Sequence, residues 1–169
     1  HLGLDKPVVG NRIQIEQPIA NGPVTRGFDT FFSSDNRLFA PFMFTENDRF
    51  VGTPLLKETR VGFKYGQGTS LKMDDFAHIL PTICDRAIER LETLAGNRRP
   101  FFIYFAPSAP HDPFVPTPEW KGKSGLGVYA DYVMELDAEV GRLLTALDKT
   151  GQATNTLVIF SSDNGCAPY

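Results

Sequence analysis

Two short, continuous apolar runs, Phe101-Phe102-Ile103-Tyr104-Phe105-Ala106 and Thr156-Leu157-Val158-Ile159-Phe160, constrain this chain more than any other feature. Runs of this length, rich in aromatic and β-branched residues, read as strands covered on both faces. Between them Tyr129, Tyr132, Val133, Leu136, Val140, Leu143, Leu144 and Leu147 trace one stripe of an amphipathic helix, with Gly151 as its stop. Strand, long helix, strand predicts a right-handed crossover in a parallel sheet. Both strands then end at one edge, so the loop carrying His111 and the loop carrying Asp163 and Asn164 converge where open α/β sheets assemble their sites. The predicted fold class is α/β, with a largely parallel sheet flanked by helices.

Upstream, Pro81 suits the first turn of a second helix, continued by Ile83, Ala87, Ile88, Leu91, Leu94 and Ala95 and stopped at Gly96-Asn97. Its polar face holds Asp85, Arg86, Glu89 and Arg90. Residues 1–70 are rich in Gly, Pro, Phe and Asn and read mostly as loops, whereas residues 71–169 read as helix, strand, helix, strand. Within the first part, Gly22 to Phe32 mixes turn residues with aromatics that need burial. Glu46-Asn47-Asp48-Arg49 predicts a polar turn, and Phe50-Val51 a short edge strand.

The chain has 41% hydrophobic and 22% charged residues, enough to bury a core, and its net charge of −3 gives no electrostatic case for nucleic acid. No apolar stretch approaches the roughly 20 residues of a membrane span. The start, His1-Leu2-Gly3, has no signal-type character and suggests a piece of a longer protein. Cys84 and Cys166 make no metal-type spacing and are expected to be free thiols.

The chemistry-bearing residues cluster in the last third. Asp163 offers a carboxylate and Asn164 a carbonyl oxygen, hard ligands suited to calcium or magnesium, on a tight turn that Gly165 permits. His111, held between Pro110 and Pro113 at a strand end, is placed to donate a proton to a leaving group or to bind an anion. Trp120, beside Lys121 and Lys123, is an aromatic that can stack on a sugar ring next to a cation, or simply pin a surface loop. Residues 39–48 and 114–124 are the candidate walls of a substrate pocket.

Three segments together, Pro100 through Pro113 with its Ala109-Pro110-His111-Asp112-Pro113 end, Tyr129-Ala130-Asp131-Tyr132-Val133-Met134-Glu135-Leu136-Asp137, and Asn155 through Gly165, resemble the type I sulfatase family. This is the arylsulfatase branch of the alkaline-phosphatase-like superfamily. The start His1-Leu2-Gly3 resembles the end of that family's Gly-Lys-Trp-His-Leu-Gly motif, and Arg26-Gly27-Phe28-Asp29 its Gly-Phe-Asp segment. The resemblance implies an alkaline-phosphatase-like sandwich and hydrolysis of a sulfate ester, either an aryl sulfate or a sulfated sugar. It further implies a formylglycine nucleophile and a divalent cation, most often calcium, with Asp163 and Asn164 among the metal ligands. His111 then contacts the sulfate or the leaving-group oxygen, and His1 hydrogen-bonds the formylglycine and assists sulfate release. A periplasmic or secreted location follows from the same resemblance.

The chain also departs from the family pattern. The nucleophile motif, Cys or Ser followed by x-Pro-Ser/Ala-Arg, is absent: Cys84 lies in a predicted helix, and Cys166-Ala167-Pro168 is followed by Tyr169. The family's N-terminal paired aspartates that complete the metal site, the lysine ahead of the His1 motif and the later active-site lysine are missing as well. A partial sulfatase catalytic domain spanning 1–169, inactive alone, is the reading these residues predict. A non-catalytic module that binds a sulfated ligand or a partner, and a phosphoesterase or phosphonate hydrolase of the same superfamily, are the alternatives.

Overall fold

The structure, a computed structural model, describes residues 4–34, 40–56, 59–62, 72–97 and 99–165. Two short antiparallel units precede two long helices. β1 (Val8–Val9) pairs with β2 (Arg12–Ile13), and β3 (Phe32–Ser34), β4 (Phe44–Glu46) and β5 (Arg49–Val51) form a three-stranded sheet in sequence order. The polar turn expected at Glu46–Arg49 is there, with Asn47 at a φ of 54°, and Phe50-Val51 lies on the edge strand. Asn tolerates this left-handed backbone because its short side chain bonds locally. Here the Asn47 amide oxygen accepts from the Phe31 N–H at 3.0 Å, tying the turn to the residue before β3.

α1 spans Ile79–Ala95 and α2 spans Val128–Lys149. α1 starts two residues before Pro81, which sits in the first turn where its missing N–H costs nothing. Gly96 ends α1 as expected, and Gly151, at a φ of 71°, follows the end of α2. The helices pack on each other through a mixed seam. The buried Cys84 thiol donates to the Glu139 carbonyl at 3.2 Å, while Arg142 bridges Glu139 of its own helix, at 2.7 Å, and Asp85 of α1. Burial pushes the Cys84 thiol well above its ordinary range, so it is an inert packing group; it is also a free cysteine, as predicted.

One core cluster joins the parts: Phe42, Phe76, Ile79, Leu80, Ala109, Val115 and Tyr132 are buried together. Above it the sheet docks on α1, with Phe32 stacked on Phe44 at 5.2 Å and the Arg86 guanidinium 4.9 Å over the Phe32 ring. Arg86 also pairs with Glu46 of β4. A second cluster, Ile13, Ile19, Met43 and Phe50, holds the N-terminal turns against the far face of the hairpin.

Two expectations are corrected. Residues 101–106 and 156–160 run extended, but neither belongs to a strand, and no parallel pairing occurs among the described residues. An extended segment becomes a strand only when a neighbour takes its N–H and C=O groups, and none of the described residues does so here. The burial expected of these runs is half met in the first, whose residues alternate between partly covered and exposed, with Phe102 76% and Tyr104 63% exposed. In the second it is not met: Leu157, Ile159 and Phe160 are each at least 80% exposed.

The second correction concerns the face that α2 buries. Tyr132 and Leu147 lie in the predicted stripe, but Val133 and Leu144 are exposed, and Asp131, Glu135 and Glu139 are buried in their place. A carboxylate tolerates burial only where donors replace its water. Asp131 accepts from the backbone N–H of Gly122 and Ser124, both at 2.8 Å, and from the Ser124 hydroxyl at 2.6 Å. Glu135 accepts from the Thr117 N–H at 2.9 Å. The three bonds from Ser124 and Gly122 hold the Asp131 carboxyl below its ordinary range, whereas burial holds Glu135 above its own.

Truncating Leu80 to Ala is expected to lower stability by about 2–5 kcal/mol, while Phe160→Ser stays within about 0.5 kcal/mol, both read from urea unfolding of this chain. Equal losses would place residues 156–160 in the core. The stability supplied by Asp131 is present above the ordinary carboxylate range and is lost as the pH falls through that range toward the depressed value of the folded state. Asp131→Asn should therefore lower the melting temperature at pH 7 by a margin that shrinks below about pH 4; a margin constant from pH 3 to 7 would show that shape and not charge is at work.

Candidate functional site

Residues 107–117 cross from the extended 101–106 segment toward α2, and their apolar members anchor them. Ala109 and Val115 are buried in the main cluster beside Tyr132, Pro116 is fully buried, and Phe114 meets the Tyr129 ring edge-on at 5.1 Å. A local turn, with the His111 N–H donating to the Ser108 carbonyl at 3.0 Å, lifts the next residues off the core. The Ala109–Pro110 and Asp112–Pro113 peptide bonds on either side of His111 are both cis.

This places the His111 side chain 72% exposed at the top of the loop. Its Nδ1 lies 2.6 Å from the Asp112 carbonyl oxygen and 3.2 Å from the Asp112 carboxylate. A carbonyl oxygen only accepts, so Nδ1 carries the proton of the neutral ring and Nε2 bears the lone pair. In the protonated ring both nitrogens are donors. A histidine so fixed can give a proton to a departing oxygen or hold an anion.

Asp163 and Asn164 occupy an exposed bend after the second extended segment, as the sequence predicted. The Ser162 hydroxyl donates to the Asn164 carbonyl at 2.6 Å, closing the bend without engaging either side chain's oxygens in that bond. Two oxygen donors are a fraction of the six to eight that calcium takes. Among the described residues no group of three or more His, Cys, Asp and Glu is arranged to hold a metal ion, so the two oxygens by themselves do not make a metal site.

Trp120 belongs to a compact run of turns, in which the N–H groups of Trp120 and Lys121 both donate to the Thr117 carbonyl. The Lys123 ammonium sits 4.3 Å over the indole, and Lys121 pairs with Asp74 at 2.7 Å. One indole face is therefore already taken by the loop's own cation, which favours a loop-pinning role over stacking on a sugar. Of the two candidate pocket walls, residues 39–48 contribute Phe42, Met43 and Phe44 to an apolar recess completed by Phe76, His78 and Ile79. No sequence-predicted site residue lines it. His1 and Cys166 lie outside the described residues.

Sequence reasoning missed Asp131 and Glu135, which hold the segments on either side of Trp120. The signal was present: acids at positions 131, 135 and 139, four apart, fall on the same helical face as Tyr132 and Leu136.

Comparison with known proteins supplies the family. The Sulfatase family profile matches residues 20–169. The chain is 32% identical over 146 residues to mouse N-acetylgalactosamine-6-sulfatase, covering 86% of this chain and 28% of that protein. It is 36% identical over 107 residues to an N-acetylgalactosamine-6-O-sulfatase of Bacteroides thetaiotaomicron, covering 63% of this chain and 20% of that one. Human arylsulfatase A matches over 67 residues at 46% identity, 40% of this chain and 13% of that enzyme. The chain thus spans under a third of the length of these relatives. A solved structure from the metabolism of glycosaminoglycans by Bacteroides thetaiotaomicron superposes with a TM-score of 0.70 at 25% identity, covering 92% of this chain and 39% of that one. With a profile match over most of its length and a shared alkaline-phosphatase-like fold, the chain belongs to the sulfatase family.

Proposed function

We propose that these residues form part of the catalytic centre of a sulfuric ester hydrolase, with His111 as the group that protonates or binds the leaving-group oxygen. The observation that carries this is the ring of His111, whose Nδ1–H is committed to Asp112 while its side chain stands 72% exposed on a loop anchored in the core. Breaking the S–O bond of a sulfate ester puts negative charge on the departing oxygen. An imidazolium Nε2–H within hydrogen-bond reach neutralises that charge by donating its proton, and the Nδ1 contact with Asp112 holds the ring in place.

Asp163 and Asn164 would hold a divalent cation, calcium or magnesium, together with further ligands from outside the described residues. When present, the cation supplies positive charge against the sulfate oxygens, and a formylglycine elsewhere in the natural polypeptide supplies the attacking oxygen. His1, by the family resemblance, would hydrogen-bond that formylglycine. The relatives named for N-acetylgalactosamine 6-sulfate support a sulfated sugar over an aryl sulfate as substrate. A periplasmic, secreted or lysosomal setting accords with the relatives, and no described helix is long and apolar enough to cross a membrane.

In the natural polypeptide carrying this sequence, His111→Ala is expected to lower kcat for sulfate release by about 100-fold or more with a smaller change in KM. Asp163→Ala should raise the cation concentration needed for half-maximal activity. Faster turnover of phosphate esters than of matched sulfate esters would move the protein to the phosphoesterase class. Binding of a sulfated sugar with no hydrolysis of any ester would favour the non-catalytic module.

A further inference from the structure

The loop that carries His111 rests on the buried core and on the first turns of α2: Ala109 and Val115 lie in the cluster with Phe42, Phe76, Ile79, Leu80 and Tyr132, Phe114 meets Tyr129, and the Thr117 N–H donates to Glu135. Tyr132 and Glu135 are each 1% exposed, so both sit where a displaced atom cannot be compensated by water. The apolar anchors fix the depth of the loop but not its register, because hydrophobic contact is non-directional. The bond from Thr117 to Glu135 is directional, and it sits one residue beyond the buried Pro116. It therefore sets where the stretch between Ala109 and Thr117 ends, and with it how far the His111 ring projects.

We infer that Glu135 is a positioning residue for His111: its carboxylate oxygen, delivered from α2, holds the Thr117 N–H and so fixes the segment that presents the imidazole. Asp131 does the same for the next stretch by gathering the Gly122 and Ser124 N–H groups one helical turn away. Together the two acids fasten residues 117–124 to α2, and the loop of His111 is tethered to that fastened stretch. What matters at position 135 is the placement of an acceptor oxygen, not the negative charge. This inference rests on His111 acting as proposed above.

The test compares two substitutions in the natural polypeptide. Glu135→Gln keeps an acceptor oxygen at the same reach without the charge, whereas Glu135→Asp keeps the charge and withdraws the oxygen by one methylene. Glu135→Gln should retain kcat within about threefold, and Glu135→Asp should lose about tenfold or more in kcat with KM within about twofold, since a misplaced catalytic group weakens the transition state more than binding. The reverse order, or wild-type kcat in both, would overturn the inference. Should Glu135→Asp fail to fold, the wild-type Thr117 amide decides: slow hydrogen exchange supports the bond as an anchor, and exchange at the rate of an open loop overturns it. If His111→Ala is as active as wild type, the functional reading has failed instead, and the two failures are told apart by that variant alone.

Discussion

The structure depends on three carboxylates that have been taken out of water on one face of α2. Asp131, Glu135 and Glu139 are each less than 9% exposed, and a helix face carrying three bare acids would not pack. Each is met by donors that come from elsewhere in sequence or from the next turn: Ser124 and Gly122, Thr117, and Arg142. The connection between the first extended segment and α2 takes its course because its backbone N–H groups must arrive at those oxygens. Arg142 extends the same system to Asp85, so the seam between the two helices is electrostatically joined to the loops above it.

The opposite behaviour of two of these acids follows from what replaces water around each. Asp131 receives three hydrogen bonds, two of them from backbone amides, and the ionised form is favoured over the protonated one. Glu135 has one backbone N–H, with Glu139 on the next turn adding like charge, and desolvation dominates. The number of donors, more than depth of burial, separates them. The energetic weight of such groups lies less in net stability than in geometry, since a buried acceptor accepts only a narrow range of donor positions.

The residues proposed to carry the chemistry, His111, Asp163 and Asn164, lie on loops that this framework carries. His111 stands off the core between buried neighbours, and the Asp163-Asn164 bend ends an extended segment with its side chains in solvent. Open loops at the ends of extended segments are where an α/β protein can bring groups from distant parts of the chain to one substrate. The chain spans under a third of the length of its relatives. The apolar recess beside Phe44 and His78 stands apart from these groups and is built by the hairpin packing on α1.

Much of this was legible in the sequence where the determinant is local. The periodicity of residues 79–95 and 128–149, the Gly96 and Gly151 stops, the Glu46–Arg49 turn and the short strand at Phe50-Val51 all depend on a few neighbouring residues. So does the placement of His111, Asp163 and Asn164 outside helices and strands. The tertiary structure decided the rest. Whether an apolar run pairs into a sheet depends on a partner remote in sequence, and residues 101–106 and 156–160 find none among the described residues. Which side of α2 is buried depended on donors at Thr117, Gly122 and Ser124, because an acid reads as polar surface until a hydrogen-bond donor from another segment replaces its water. Local pattern fixes an element, but only the partner it meets fixes which of its faces is the inside.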